Sequence, residues 1–113
     1  RPEMTEGSSL RVLVIEDDPD ARSNLCDILE LDEHEVEAAG TAAEAVGRAD
    51  WREVEVVILD RRLPDGTADD LLPVIKAKAP HAAVLVVTGF ADVEGAITAL
   101  RRGASDYLLK PIN

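Results

Sequence analysis

A chain of 113 residues is the size of one small domain, and its 46% apolar content suffices for a core and excludes a disordered tail. Twelve basic against 23 acidic groups leave a net charge of −11, which excludes a nucleic-acid face and a surface drawn to anionic lipid. The lone Cys26 cannot form an internal disulfide, no apolar run nears the ~18 residues of a membrane span, and no signal peptide opens the chain, so a soluble, cytoplasmic protein is expected. The acidity is uneven: residues 1–60 hold 5 basic and 17 acidic groups, residues 61–113 hold 7 and 6. With Trp51, Phe90 and Tyr107 as the only aromatic residues, the core must be aliphatic.

Residues 1–9, Arg1 to Ser9, are polar with Pro and Gly and read as a linker or cloning remnant ahead of a domain over 10–113. Val12–Ile15 is the first short β-branched run. Asp18-Pro19 then supplies an N-cap and an N1 proline, and Ala21, Leu25, Ile28 and Leu29 follow at helical spacing, with Cys26 a small core residue in the same pattern. Val36–Ala39 is a weaker strand. Thr41 and Glu44 form a capping box that opens a helix to about Ala49. Trp51 follows it, away from the site derived below. Val54–Leu59 is the third strand. Thr67–Asp70 opens a third helix with Leu71, Leu72 and Ile75 inward, while Pro73 predicts a late start or an irregular first turn. Ala83–Val87 is the fourth strand. Ala91-Asp92 opens a fourth helix with Val93, Ala96, Ile97 and Leu100 inward, ending at Arg101-Arg102-Gly103. Tyr107–Leu109 is the fifth strand. Near-continuous apolar runs alternating with helices, joined by right-handed crossovers, predict an α/β fold with a doubly wound, five-stranded parallel sheet.

In such sheets ligands bind outside the carboxyl ends of the strands. There the first strand delivers Glu16, Asp17 and Asp18, the third Asp60, the fourth Thr88, and the fifth Lys110 followed by Pro111. Crowded carboxylates either raise one another's pKa or share a divalent cation. An all-oxygen set with open positions suits Mg²⁺, which keeps waters and binds phosphate oxygens. Asp60 can then act as a nucleophile that carries a phosphoryl group, with Mg²⁺ and Lys110 neutralising its oxygens and the Thr88 hydroxyl holding one of them. Asp18 reads as a helix cap. His34 and His81 fall in turns and form no metal motif, and Arg61-Arg62 and Arg101-Arg102 are too few for a nucleic-acid face.

Val14-Ile15-Glu16-Asp17-Asp18-Pro19, Leu59-Asp60-Arg61-Arg62-Leu63-Pro64-Asp65-Gly66, Val87-Thr88-Gly89 and Gly103 to Pro111 together resemble the receiver domain of two-component response regulators (the CheY-like superfamily) over residues 10–113. The resemblance implies a flavodoxin-like sheet of order 2-1-3-4-5. It implies Asp60 as phosphoacceptor, Glu16 and Asp17 as the acidic pair at Mg²⁺, and the Arg62 backbone carbonyl as a further metal ligand. It implies Thr88 and Tyr107 as a switch pair, Lys110 as the phosphate-pairing lysine, and a cis Lys110–Pro111 bond. Its partners would be a sensor histidine kinase or phosphotransfer protein and an output or kinase domain in the parent chain, with neither nucleic acid nor membrane bound by this domain. It would be a signalling domain rather than an enzyme, limited to taking up and hydrolysing its own phosphoryl group.

Two departures stand beside the resemblance. The family's fifth helix is missing or truncated, since the chain stops at Asn113. Apolar side chains of strands 1, 3 and 4 are then expected to meet water, so either the chain self-associates, through that face or through the fourth helix and fifth strand, or it is a fragment whose next segment supplies the helix. Arg62 and Phe90, each two residues past a site residue, flank the family's hydrolytic water path and imply a long-lived phosphorylated state. Two other functions fit parts of the pattern. A phosphorylation-independent interaction module would not need Asp17, Asp60, Thr88 and Lys110. A Mg²⁺-dependent phosphohydrolase with an aspartyl nucleophile, weakly similar to haloacid-dehalogenase enzymes, would need a second Asp where Arg62 stands.

Overall fold

Strands rich in Val, Ile and Leu on both faces need cover on both sides, and parallel pairing between helical layers supplies it. The computed structural model describes residues 9–48, 50–88 and 106–109, with the backbone alone at Arg48, Arg62, Thr88 and residues 106–109. The elements run β1 (Arg11–Ile15), α1 (Pro19–Leu31), β2 (Glu35–Ala39), α2 (Ala42–Arg48), β3 (Val56–Asp60), β4 (Arg62–Leu63), β5 (Gly66–Thr67), α3 (Ala68–Lys78), β6 (Ala83–Thr88) and β7 (Asp106–Leu109). Five strands form one parallel sheet in the order β2-β1-β3-β6-β7, which is the expected 2-1-3-4-5 once the short β4–β5 hairpin is set aside. The expected fourth helix over 91–103 lies outside the described residues. No helix among the described residues is long and apolar enough to cross a membrane.

Side chains alternate across the sheet with period two. Leu13, Ile15, Val57, Leu59, Val84 and Val86 face α2 and α3, where they bury Ala45, Trp51, Leu71, Leu72 and Ile75. Val12, Val14, Ile58 and Val87 face α1, against Leu25, Cys26 and Leu29. The expected exposure of this second face is not met at those four positions, which are buried, while Val56 of β3 and Leu85 of β6 on that side are half-buried. At Val12 and Val14 the reason is local: α1 lies along β1 and β2 and covers them. Ile28, expected inward, is 38% exposed. The stripe that meets the sheet runs through Leu25, Cys26 and Leu29, and Ile28 lies more than a quarter turn off its centre. Burial, then the nearby Glu30 and Asp27, push the Cys26 thiol above its ordinary value, as befits a packing residue.

The caps read from the sequence form. Asp18 accepts from the Ala21 N–H at 3.1 Å, and Thr67 accepts from the Asp70 N–H at 3.4 Å. Thr41 Oγ1 accepts from the Glu44 N–H at 3.0 Å, and the Glu44 carboxylate reaches back to the Gly40 N–H at 2.8 Å, one residue before the usual partner. Pro73 neither delays α3 nor breaks its first turn: the helix is continuous from Ala68. Pro73 withholds one N–H from the Asp69 carbonyl, and the buried Leu71, Leu72 and Ile75 hold the helix down around it.

The β4–β5 hairpin was not expected. Leu63 pairs with Gly66 across a Pro64-Asp65 turn, with Pro at the favoured second position and Gly at the fourth. The turn aims Asp65 at α2, where its two carboxylate oxygens accept from the Ala42 N–H at 2.9 Å and the Ala43 N–H at 3.0 Å. Those donors, with Ala42 contributing most, hold the Asp65 carboxyl below its ordinary value. The segment after β3 is thereby fastened to the start of α2.

Two measurements check this architecture. Leu72→Ala should lose about 2–5 kcal/mol in urea unfolding, whereas Leu31→Ala, at 83% exposure, should stay within about 0.5 kcal/mol. Asp65 has a depressed folded-state pKa, so its stabilisation is present above the unfolded value and lost as pH falls through the folded one. Asp65→Asn should therefore melt below the parent at pH 7, and the gap should close as pH falls through and below the ordinary Asp value of 3.8.

Candidate metal and phosphoryl site

Parallel strands in register end at a common edge. Ile15 pairs with Leu59, Asp60 with Val87, and Thr88 with Leu109, so the residues after β1 meet the last residues of β3 and β6. Carboxylate oxygens of Glu16, Asp17 and Asp60 lie within 4.8 Å of one another. Glu16 is 2% and Asp60 7% exposed, while Asp17 is open to solvent. Each such pair of anions repels by roughly 3–4 kcal/mol at an effective dielectric of ~20.

The backbone around this cluster is tightly held. Glu16 extends the β1–β2 ladder, its N–H donating to the Ala39 carbonyl at 3.0 Å. Its Oε2 accepts from the Asp18 N–H at 3.1 Å. Asp18 turns away to cap α1 and does not join the cluster. From the first turns of α1, Arg22 Nη1 reaches back to donate to the Glu16 carbonyl at 2.9 Å and the Asp17 carbonyl at 3.4 Å. After Asp60, the Arg61 N–H donates to the Val87 carbonyl at 2.9 Å, and the Arg61 carbonyl accepts from the Ala68 N–H at 3.0 Å. The Arg61 side chain, 11% exposed, pairs with Asp69 of α3 at 3.3 Å.

Sequence reasoning missed Arg22, Arg61, Asp65 and Asp69. The Pro-Asp-Gly turn immediately after a strand was a signal for Asp65. A basic residue one turn into the helix behind an acidic pair was a weaker signal for Arg22. Of the expected site residues, the fold brings Glu16, Asp17 and Asp60 together. Arg62 lies in β4 opposite Thr67, Thr88 ends β6, and Tyr107 sits in β7 beside Val86. The Thr88 and Tyr107 side chains lie outside the described structure, as do Phe90, Lys110 and Pro111. His34 has a structural use: its Nδ1 accepts from the Leu10 N–H at 3.1 Å.

Three oxygens at this spacing fit one hard cation. Ligands on opposite sides of a cation with 2.0–2.6 Å bonds stand about 4–5 Å apart, and the exposed Asp17 side leaves room for waters or phosphate oxygens. A cation there would offset the repulsion and leave Asp60 a reactive carboxylate beside an electrophile-binding position.

Known proteins share this fold. Residues 12–113 match the family model described as the response regulator receiver domain. The response regulator protein FleR of Pseudomonas aeruginosa is 38% identical over 101 residues, which is 89% of this chain and 21% of FleR. The chain thus spans about a fifth of that relative. The crystal structure of a response regulator receiver domain protein from Clostridium thermocellum superposes with a TM-score of 0.84 at 35% identity, over 92% of this chain and 84% of that one. A response regulator protein from Burkholderia pseudomallei, determined with a phosphorylated aspartic acid, a calcium ion and citrate, gives a TM-score of 0.85 at 30% identity, over 93% of this chain and 62% of that one. With its sheet order, its acidic edge and a family match over nearly its whole length, the chain belongs to the response regulator receiver domains of two-component signalling.

Proposed function

We propose that Asp60 accepts a phosphoryl group from the phosphohistidine of a partner kinase or phosphotransfer protein. The observation that carries this reading is the meeting of a buried Asp60 with Glu16 and Asp17 at the carboxyl edge of the sheet. An Asp60 carboxylate oxygen attacks phosphorus, the phosphorus–nitrogen bond to the donor imidazole breaks, and that imidazole keeps the electron pair and takes up a proton from solvent. Glu16, Asp17 and Asp60 would hold Mg²⁺, which when bound supplies charge neutralisation for the transferred oxygens. The solved relative with a phosphorylated aspartic acid and a calcium ion supports a hard cation in this role.

The Arg62 carbonyl is a suitable further ligand. Antiparallel pairing alternates, and with the Ala68 N–H bonded to the Arg61 carbonyl, the Arg62 position falls where the carbonyl turns out of the hairpin. Lys110, the next residue in sequence after β7, would be the cation that pairs with the phosphoryl group. Thr88 and Tyr107 stand on adjacent strands, β6 and β7, at the position from which a switch pair would pass the modification to a partner surface. The haloacid-dehalogenase alternative lacks its acid/base here, since Arg62 occupies that position. The signal's destination would lie in an output segment of a longer parent chain; the match covers 21% of the relative FleR.

Intact mass after incubation with acetyl phosphate tests this. One added phosphoryl group is expected on the parent chain with Mg²⁺, and none with Asp60→Asn or after chelation. A folded parent chain that stays unmodified would contradict phosphoacceptor chemistry, and an equal adduct on Asp60→Asn would place it elsewhere.

A further inference from the structure

We propose that Arg22 is a positioning residue for the metal site, a brace that fixes the backbone of Glu16 and Asp17. The proposal rests on the reading of that cluster as a cation site. A single guanidinium nitrogen bridges two consecutive carbonyls, those of Glu16 at 2.9 Å and Asp17 at 3.4 Å. These carbonyls belong to the turn between β1 and α1, whose outward end carries two of the three clustered carboxylates. Arg22 thus connects a helix packed on the sheet to the turn that aims the acids.

Gly40 is the second observation. A Cβ at that position would stand 3.0 Å from Arg22 Nη1 and 3.9 Å from its Cζ, with the Glu44 carboxylate at 3.7 Å. The guanidinium therefore lies against the bare backbone at the end of β2, and a side chain there would make it give by a few tenths of an ångström, stretching its bonds to the carbonyls. The contact at 3.0 Å is tighter than ordinary carbon packing, and the far end of a flexible side chain is what must yield. Glu16 and Gly40 are already tied to one another's strands, since the Glu16 N–H donates to the Ala39 carbonyl. Arg22 closes the third side of that junction.

The brace and the charge of Arg22 act in opposite directions on a cation. A positive guanidinium near the cluster opposes Mg²⁺ by Coulomb repulsion, whereas a fixed turn favours it by holding ligand carboxylates in place. Outer partners that orient metal ligands typically change affinity by about 10–100-fold. A backbone brace on two of three ligands sits at the lower end of that range, and the repulsion of one partly solvated charge is smaller.

Gly40→Ala separates the two effects, because it keeps the charge and crowds the guanidinium by a few tenths of an ångström. Calorimetric titration of Mg²⁺ into the folded chain at constant ionic strength reads both variants. Arg22→Ala and Gly40→Ala should each weaken binding, by about tenfold and about threefold or more. The double variant should bind no more weakly than Arg22→Ala alone, since both remove one interaction. Tighter binding by Arg22→Ala with no change in Gly40→Ala would overturn the brace and leave Arg22 as a charge only. Additive losses in the double variant would also overturn it. Should Arg22→Ala fail to fold, unchanged affinity in Arg22→Met, which keeps the stem and removes the donors to both carbonyls, refutes the proposal. Absence of Mg²⁺ binding by the parent chain refutes the cation site itself, a result distinct from parent binding that the variants leave unaltered.

Discussion

Like charges forced together by strand register are the constraint on which this structure turns. Parallel strands point the same way, so whatever follows each of them arrives at one edge. Here that edge receives Glu16, Asp17 and Asp60 with their oxygens within 4.8 Å of one another. Water would separate such charges at no cost, but Glu16 and Asp60 are buried and anchored by the sheet. Their proximity is sustained by the hydrophobic burial of Leu13, Ile15, Val57, Leu59, Val84 and Val86, which fixes the register from one side. The core thus sets the electrostatics, and the electrostatics set what the edge can bind.

Around the acids the backbone is held by groups that do not touch a ligand. Asp18 caps α1 while its own N–H restrains Glu16. Arg22 ties the turn above α1, and Asp65 reaches from the hairpin after Asp60 to the start of α2. Arg61 joins the end of β3 to β6 through its N–H and to α3 through its carbonyl and side chain. Each of these links crosses between elements that carry different site residues. Hydrogen bonds of this kind restrict the geometry of the site without occupying the ligand positions.

Much of this was legible in the sequence. Apolar runs such as Val12–Ile15 and Ala83–Val87 mark strands because nothing but double-sided burial explains them. Asp18-Pro19 and the Thr41–Glu44 box mark helix starts because the orphan N–H groups demand such partners. Asp60 stands out as a carboxylate closing an apolar strand. Other features depend on tertiary packing. Ile28 has the spacing of an inward residue, yet the stripe that meets the sheet passes it by. Pro73 argues for a broken helix by local rules, and the buried neighbours on either side override them. The Asp65 cap joins residues 22 and 23 positions apart, and the Arg22 brace depends on a glycine 18 positions away; no local pattern encodes such pairs.

The thermal transition of the parent chain and of Asp60→Asn, with and without Mg²⁺ at constant ionic strength, tests the crowded edge most directly. A ligand held only by the folded state adds about 1.4 kcal/mol at tenfold excess over its Kd, or roughly 5–10 °C for a domain of this size. The parent chain should show such a rise, and Asp60→Asn should lose most of it. A parent melting temperature indifferent to Mg²⁺, or a rise of equal size in Asp60→Asn, would contradict a cation site built on these three carboxylates.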